Sequence, residues 1–359
     1  MSYNNYSFKR VILFSHNSNL SGAPISLVQL ASKLPKYGYY PLIILPKKGP
    51  LENLIKRQNL DYTILRFPGR ILKFIKLIHR EKALLIHVNS IVTSWPIFIS
   101  RLLRKPVIWH VREYLDNKRF YAHIIHLLSN YVILISQKQL DLFKNMKRVV
   151  YIPNGIDFSA FENAKPVGII KGNYNNKLIL ITYIGAIEPR KGLFVLAQAA
   201  LLLKKMKEIH FVIIGKANDH NRDYKEKVIS FLSKNEILDR FHFLGVRQDI
   251  PEILAESDIL CHPAYIEVFG RVIVEAMASK LPVIASKVGE IQNIIEDKIT
   301  GYIINPGDYK GLSEAIKKLA SNKELRKKMG QKGYEKAKRQ YNIDIHTKKV
   351  TDLYNRILF

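Results

Sequence analysis

Short, nearly continuous apolar runs recur along the chain. In the first half they are RVILFS (10–15), YPLIIL (40–45), ALLIHV (83–88), PVIWHV (106–111), YVILIS (131–136) and RVVYIP (148–153). They are rich in Val and Ile and do not alternate apolar with polar. That is the pattern of parallel strands covered on both faces. Between them lie stretches with apolar residues three and four positions apart, such as APISLVQLASKL (23–34), which predict helices. Strand and helix in alternation predict β-α-β units and a doubly wound parallel sheet.

The rhythm stops over 154–177, a stretch with Gly, Asn and Pro and no clean period, which reads as a link between domains. It then restarts with LILITYIG (178–185), IHFVIIG (209–215), RFHFLG (240–245), SDILCHP (257–263) and LPVIAS (281–286). Helices are predicted between them at 193–206 and 270–280, and the chain from about 308 is helical and basic. The expected fold class is α/β, with two Rossmann-like domains in tandem over 1–163 and 172–342. Ligands of open parallel sheets bind beyond the carboxyl ends of the strands. Two such sheets facing a cleft suit an enzyme that joins two substrates.

Composition narrows this. The single cysteine, Cys261, excludes an internal disulfide, and the pattern holds no C-x-x-C or H-E-x-x-H metal motif. No run approaches the ~18 apolar residues of a membrane-spanning helix, and the N-terminus does not resemble a signal peptide. A cytoplasmic location is expected. The net charge is +27, and it is uneven: residues 1–160 hold 24 Lys and Arg against 7 Asp and Glu, a balance of +17. Such a first half suits an anionic surface. In RILKFIKLIHR (70–80), Arg70, Lys73, Lys76 and Arg80 form a basic stripe beside a broad apolar face, which fits a crossover helix or one lying on an anionic membrane.

The stretch EVFGRVIVEAM (267–277) carries the most chemistry. A helix starting near Phe269 or Gly270 presents its first N–H groups, from Phe269, Gly270 and Arg271, to an anion, and Gly270 permits close approach. Glu267 stands at its mouth and Glu275 in its second turn. Carboxylates so placed accept hydrogen bonds from sugar hydroxyls. The spacing does not bring the two face to face. In EPRKG (188–192), Arg190 and Lys191 sit at a helix start, an unfavourable place for cations unless an anion is bound there.

The stretch 258–290, together with IPNGID (152–157), IGAIEPRKG (184–192), LGVRQDIPEILAESDI (244–259) and HNSNLSGAPISLVQLASKL (16–34), resembles retaining GT-B glycosyltransferases of family 4, in that family's order across nearly the whole chain. The resemblance implies a GT-B fold in which the last helix, 343–359, completes the first domain. It implies transfer of a hexosyl group from a UDP- or GDP-sugar to a glycan or lipid-linked glycan acceptor, as in cell-surface polysaccharide synthesis, without a metal ion or other cofactor. Glu267 would hold the donor sugar, Glu275 the ribose, and the amides of 269–271 the diphosphate. Lys191 would neutralise the leaving group, with Arg190 as a second cation. Gly22 would approach the donor phosphate or the acceptor. His110, followed by Arg112 and Glu113, would line the acceptor side of the sugar. Two positions depart from the family: Ala186 replaces a usual arginine, and Glu290 with Asn293 replaces a usual glycine and glutamate. A sugar-nucleotide epimerase or phosphorylase on the same fold is the alternative, and a polyanion binder a weaker one, since no nucleic-acid-binding motif is present.

Overall fold

The computed structural model describes residues 9–66, 71–115, 119–173 and 178–359. The chain forms two compact units, Met1–Ile156 with Tyr341–Phe359, and Asp157–Gln340.

The first unit contains β1 (Lys9–Phe14), β2 (Tyr39–Leu45), β3 (Asp61–Ile64), β4 (Leu85–Val88), β5 (Val107–Val111), β6 (Tyr131–Leu134) and β7 (Val149–Tyr151). All pair in parallel, in the order β3-β2-β1-β4-β5-β6-β7. Alternate residues of each strand feed two cores. Ile12, Phe14, Ile86 and Trp109 face Phe74, Ile97, Ala122 and Ile125 from the helices Ile71–Arg80, Trp95–Leu102 and Arg119–Leu128. Val11, Leu13, Leu85 and Ile108 face Leu27 and Leu30 of the helix Gly22–Lys33 and Val350, Leu353 and Tyr354 of the final helix, Ile343–Leu358. Arg70, the first residue of the expected basic stripe, lies outside the described residues.

The second unit contains β8 (Ile179–Ile184), β9 (Ile209–Ile214), β10 (Phe241–Gly245), β11 (Ile259–His262), β12 (Val283–Ser286) and β13 (Gly301–Ile304). Their order is β10-β9-β8-β11-β12-β13, again all parallel. In each sheet the order reverses once, between β1 and β4 and between β8 and β11. These are the topological switch points, where open α/β sheets leave a crevice beyond the strand ends.

β3 and β13 were not expected from the hydrophobic pattern. Both lie at sheet edges and are only partly covered, so their sequences, DYTI and GYII, lack a long apolar run. Gly22 is also placed differently from the expectation. It is the first residue of its helix rather than part of the preceding loop, with Ser21 as N-cap and Pro24 in the first turn, where a missing N–H costs nothing.

Candidate active site

The switch point of the second unit gathers the expected chemistry. β8 leads into a 3-10 turn, Pro189–Lys191, and Gly192 follows with φ of 73° before the helix Leu193–Leu202. A β-carbon on Gly192 would lie 1.9 Å from the Pro263 carbonyl oxygen, so only glycine lets this turn abut the loop after β11. The Arg190 carbonyl accepts hydrogen bonds from the amides of Tyr265 (2.8 Å) and Ile266 (3.3 Å). The loop after β12 clamps the other side. Gly289, at φ of 52°, would place a β-carbon 1.9 Å from the Glu267 carbonyl oxygen, and the Glu290 amide donates to Val268 (3.0 Å).

This stitching brings Lys191 to Glu267 across 76 positions of sequence. Lys191 Nζ donates to Glu267 Oε2 at 2.6 Å, and His262 Nε2 donates to the same oxygen at 3.0 Å. The amide of Val268 donates to Oε1 at 3.1 Å. Burial alone would push the Glu267 carboxyl up. The hydrogen bond from His262 and the charge of Lys191 outweigh it and hold the group well below the usual carboxylate range. His262, the last residue of β11, is buried, and its Nδ1 has no partner. Sequence reasoning passed over it as a strand end; the available signal was a histidine at a strand's carboxyl end five residues before Glu267.

Several expectations need correction. Lys191 does not start an α-helix: it precedes the αL residue Gly192, which keeps its charge out of the first helical turn. Arg190, expected as a second cation, is half-exposed and paired with a carboxylate. It lies 2.6 Å from Glu188, while Ala186, where an arginine is usual in the family, is exposed.

Gly270, at φ of 88°, is the N-cap of the helix Arg271–Ala278, and Phe269 is buried beneath it. Within that helix Arg271 Nε donates to Glu275 Oε1 at 2.7 Å, with side chains only 10% and 11% exposed. Burial raises the Glu275 carboxyl, and the Arg271 charge only partly offsets this. Glu267 and Glu275 therefore have separate cations and do not form a shared acid/base pair. Glu290 is fully buried and accepts from Asn293 Nδ2 at 2.9 Å.

In the first unit His110 is not at an open strand end. It is fully buried, with Nδ1 3.2 Å from His87 Nε2 and 3.3 Å from Arg112, and its ring stacks on His346. Its Nε2 is buried and has no hydrogen-bond partner among the described residues. After β5, Arg112 is bonded to Asn89 (2.6 Å) and Asn154, and Glu113 accepts from the Ser90 hydroxyl and the Ile91 amide (3.1 Å). Gly155 packs where a β-carbon would lie 2.6 Å from His346 Cβ.

Among the described residues no group of three or more His, Cys, Asp or Glu is placed to hold a metal ion. A cavity of about 900 Å³ lies beside β13 and includes none of Lys191, His262 or Glu267.

The two parallel sheets define a GT-B fold, shared with solved structures. Anabaena HepE in complex with UDP-glucose superimposes with a TM-score of 0.85 over 97% of this chain and 99% of that one, at 20% identity. WaaG, a glycosyltransferase involved in lipopolysaccharide biosynthesis, gives 0.69 over 96% and 99%, at 17% identity. Residues 20–160 match Glycosyltransferase Family 4 and residues 169–336 match Glycosyl transferases group 1, and the chain belongs to this glycosyltransferase family. An uncharacterized glycosyltransferase of Methanocaldococcus jannaschii is 30% identical over 63% of this chain and 66% of its own length. The capsular polysaccharide biosynthesis glycosyltransferase CapM of Staphylococcus aureus is 23% identical over 80% of each. An Escherichia coli UDP-Gal:alpha-D-GlcNAc-diphosphoundecaprenol alpha-1,3-galactosyltransferase is 27% identical over 60% of this chain and 56% of its own.

Proposed function

We propose that this chain transfers a hexosyl group from a UDP- or GDP-sugar to a glycan or lipid-linked glycan acceptor, with retention at the anomeric carbon and no metal ion. The observation that carries this reading is the Lys191–Glu267–His262 cluster at the β8/β11 switch point. The donor named with HepE and the acceptor named for the E. coli relative support it.

Glu267 accepts hydrogen bonds from the sugar hydroxyls, and Lys191 lies against the diphosphate. The amides at Phe269, Gly270 and Arg271 take the phosphate oxygens at the N-terminus of their helix. Glu275 serves the ribose. The bond from the anomeric carbon to the diphosphate oxygen breaks as the acceptor oxygen bonds to the same face of that carbon. The acceptor's proton passes to a donor phosphate oxygen, so no protein nucleophile is used. Negative charge gathers on the leaving oxygen, where a fixed cation lowers the barrier. The test is a thermal-shift panel of UDP-, GDP- and ADP-sugars in the presence of a chelator, then product analysis with the best donor. Stabilisation by none of them would exclude the reading.

The first unit supports a membrane-side acceptor. The helices Ile71–Arg80, Trp95–Leu102 and Arg119–Leu128 lie on one face of its sheet and turn Leu72, Phe98, Leu102, Phe120 and Leu127 outward, each more than half exposed. Exposed Lys73, Lys76, Arg101 and Arg119 stand on the same helices. Apolar residues rimmed by cations fit an anionic lipid surface. Binding to phosphatidylglycerol vesicles, and not to phosphatidylcholine vesicles, is expected to fall at least about tenfold in Lys73→Glu/Lys76→Glu, each cation being worth about 1 kcal/mol at such a surface. Unchanged binding would remove the membrane from the reading.

A further inference from the structure

We propose that His262 is a positioning residue: it holds the Glu267 carboxylate in place while the donor's diphosphate draws Lys191 away from it. This rests on the glycosyl-transfer reading above.

Without ligand, Glu267 Oε2 is shared between two donors of different kinds. Lys191 is a flexible ammonium arm on a 3-10 turn. His262 is a rigid ring at the end of a central strand, its backbone in register with Ala285 of β12. An ionised carboxylate only accepts, so Nε2 of the imidazole carries a proton. Nδ1 is buried without a partner, so the ring makes one hydrogen bond and that bond goes to Glu267.

A diphosphate competes with Glu267 for Lys191. Once Lys191 turns to it, Glu267, with a side chain only 16% exposed, keeps the amide of Val268 and the ring of His262. Without the ring the carboxylate would follow the lysine, or would take up a proton and lose strength as an acceptor. With it, the sugar hydroxyls meet an ionised acceptor in a fixed position. The donor thus opens the ion pair without losing the group that reads the sugar.

The test compares UDP-glucose, GDP-mannose and ADP-glucose with UDP, GDP and ADP by titration calorimetry, on the unaltered protein and on His262→Leu and His262→Gln. Glutamine keeps an N–H at similar reach, and thermal unfolding confirms that each variant is folded. A hydrogen bond to a charged group sets the scale. In His262→Leu the affinity for the sugar nucleotide should fall at least about tenfold and that for the matching diphosphate less than about twofold. In His262→Gln the sugar nucleotide should bind within about threefold of the unaltered protein. Equal weakening of both ligands in His262→Leu would mark a merely structural histidine and overturn the proposal, as would unchanged binding. If the unaltered protein binds none of the sugar nucleotides, the glycosyl-transfer reading itself fails and takes this inference with it.

Discussion

Replacing Lys191 by Met removes a charge and keeps most of the stem. The pair it breaks is 2.6 Å long, with side chains 14% and 16% exposed. Removing one partner of a fully buried pair costs about 3–5 kcal/mol, and of an exposed pair less than ~1 kcal/mol. Here the pair is mostly buried, yet His262 still donates to Glu267, so a loss of about 2 kcal/mol is expected at pH 8. For a domain of this size that is about 4–8 °C in Tm. The pH dependence has a definite sign. Glu267 is held below its unfolded value in the folded chain. Its stabilising contribution is therefore complete above about pH 4.3 and is lost as the pH falls through the folded value. Without Lys191 the folded value rises, so the deficit of the variant should be largest at pH 7–8 and shrink below about pH 4. Lys191→Met/Glu267→Gln should recover part of the loss. Transfer should fall about 10²–10³-fold, the scale of removing one group aimed at developing charge. Differential scanning calorimetry across pH 3–8 is the assay. A Tm change below about 1 °C at pH 8, or a deficit that does not vary with pH, would refute the reasoning.

Further consequences can be measured in the same way. Gly289→Ala places a methyl group 1.9 Å from a backbone oxygen at positive φ; a loss of about 3 kcal/mol in urea unfolding is expected, with donor binding lost alongside. Arg271→Ala strands the buried Glu275, whose carboxyl is already raised. Its folded value rises further, so the deficit, about 3 kcal/mol at pH 8, should grow as pH rises from the unaltered protein's folded value, itself above about 4.3, through the variant's higher one. Burial, with Arg112 and His346 adding to it, pushes His87 down to about 3. Stability from keeping it neutral is complete above about pH 6.5 and is lost as pH falls from there toward about 3, at up to about 1.4 kcal/mol per pH unit. His87→Asn should flatten the acid limb of the Tm-pH curve; an unchanged limb would show that this histidine does not govern it.

The fold was legible wherever a strand is covered on both faces. Ile209–Ile214 is buried at every position and announces itself in the sequence, whereas β3 and β13, half-covered at sheet edges, do not. The site was legible as residue types but not as partners. Glu267 and Glu275 drew attention by their spacing, yet each belongs to a different cation. The pairing of Lys191 with Glu267 depends on two backbone contacts, at Gly192 and Gly289, that no local pattern encodes. His262 was hidden because a histidine after three apolar strand residues reads as the end of a strand. His110 was legible as a histidine near a strand's carboxyl end, but not its neighbour: the final helix, more than 200 residues later, supplies His346, on which its ring stacks.

A crystal structure of the chain with its best-stabilising sugar nucleotide tests the central claim most directly. The diphosphate should lie within about 3 Å of Lys191 Nζ, with a sugar hydroxyl hydrogen-bonded to Glu267 and His262 still donating to that carboxylate. A nucleotide sugar bound elsewhere, with the Lys191–Glu267 pair closed as in the unliganded chain, would contradict it.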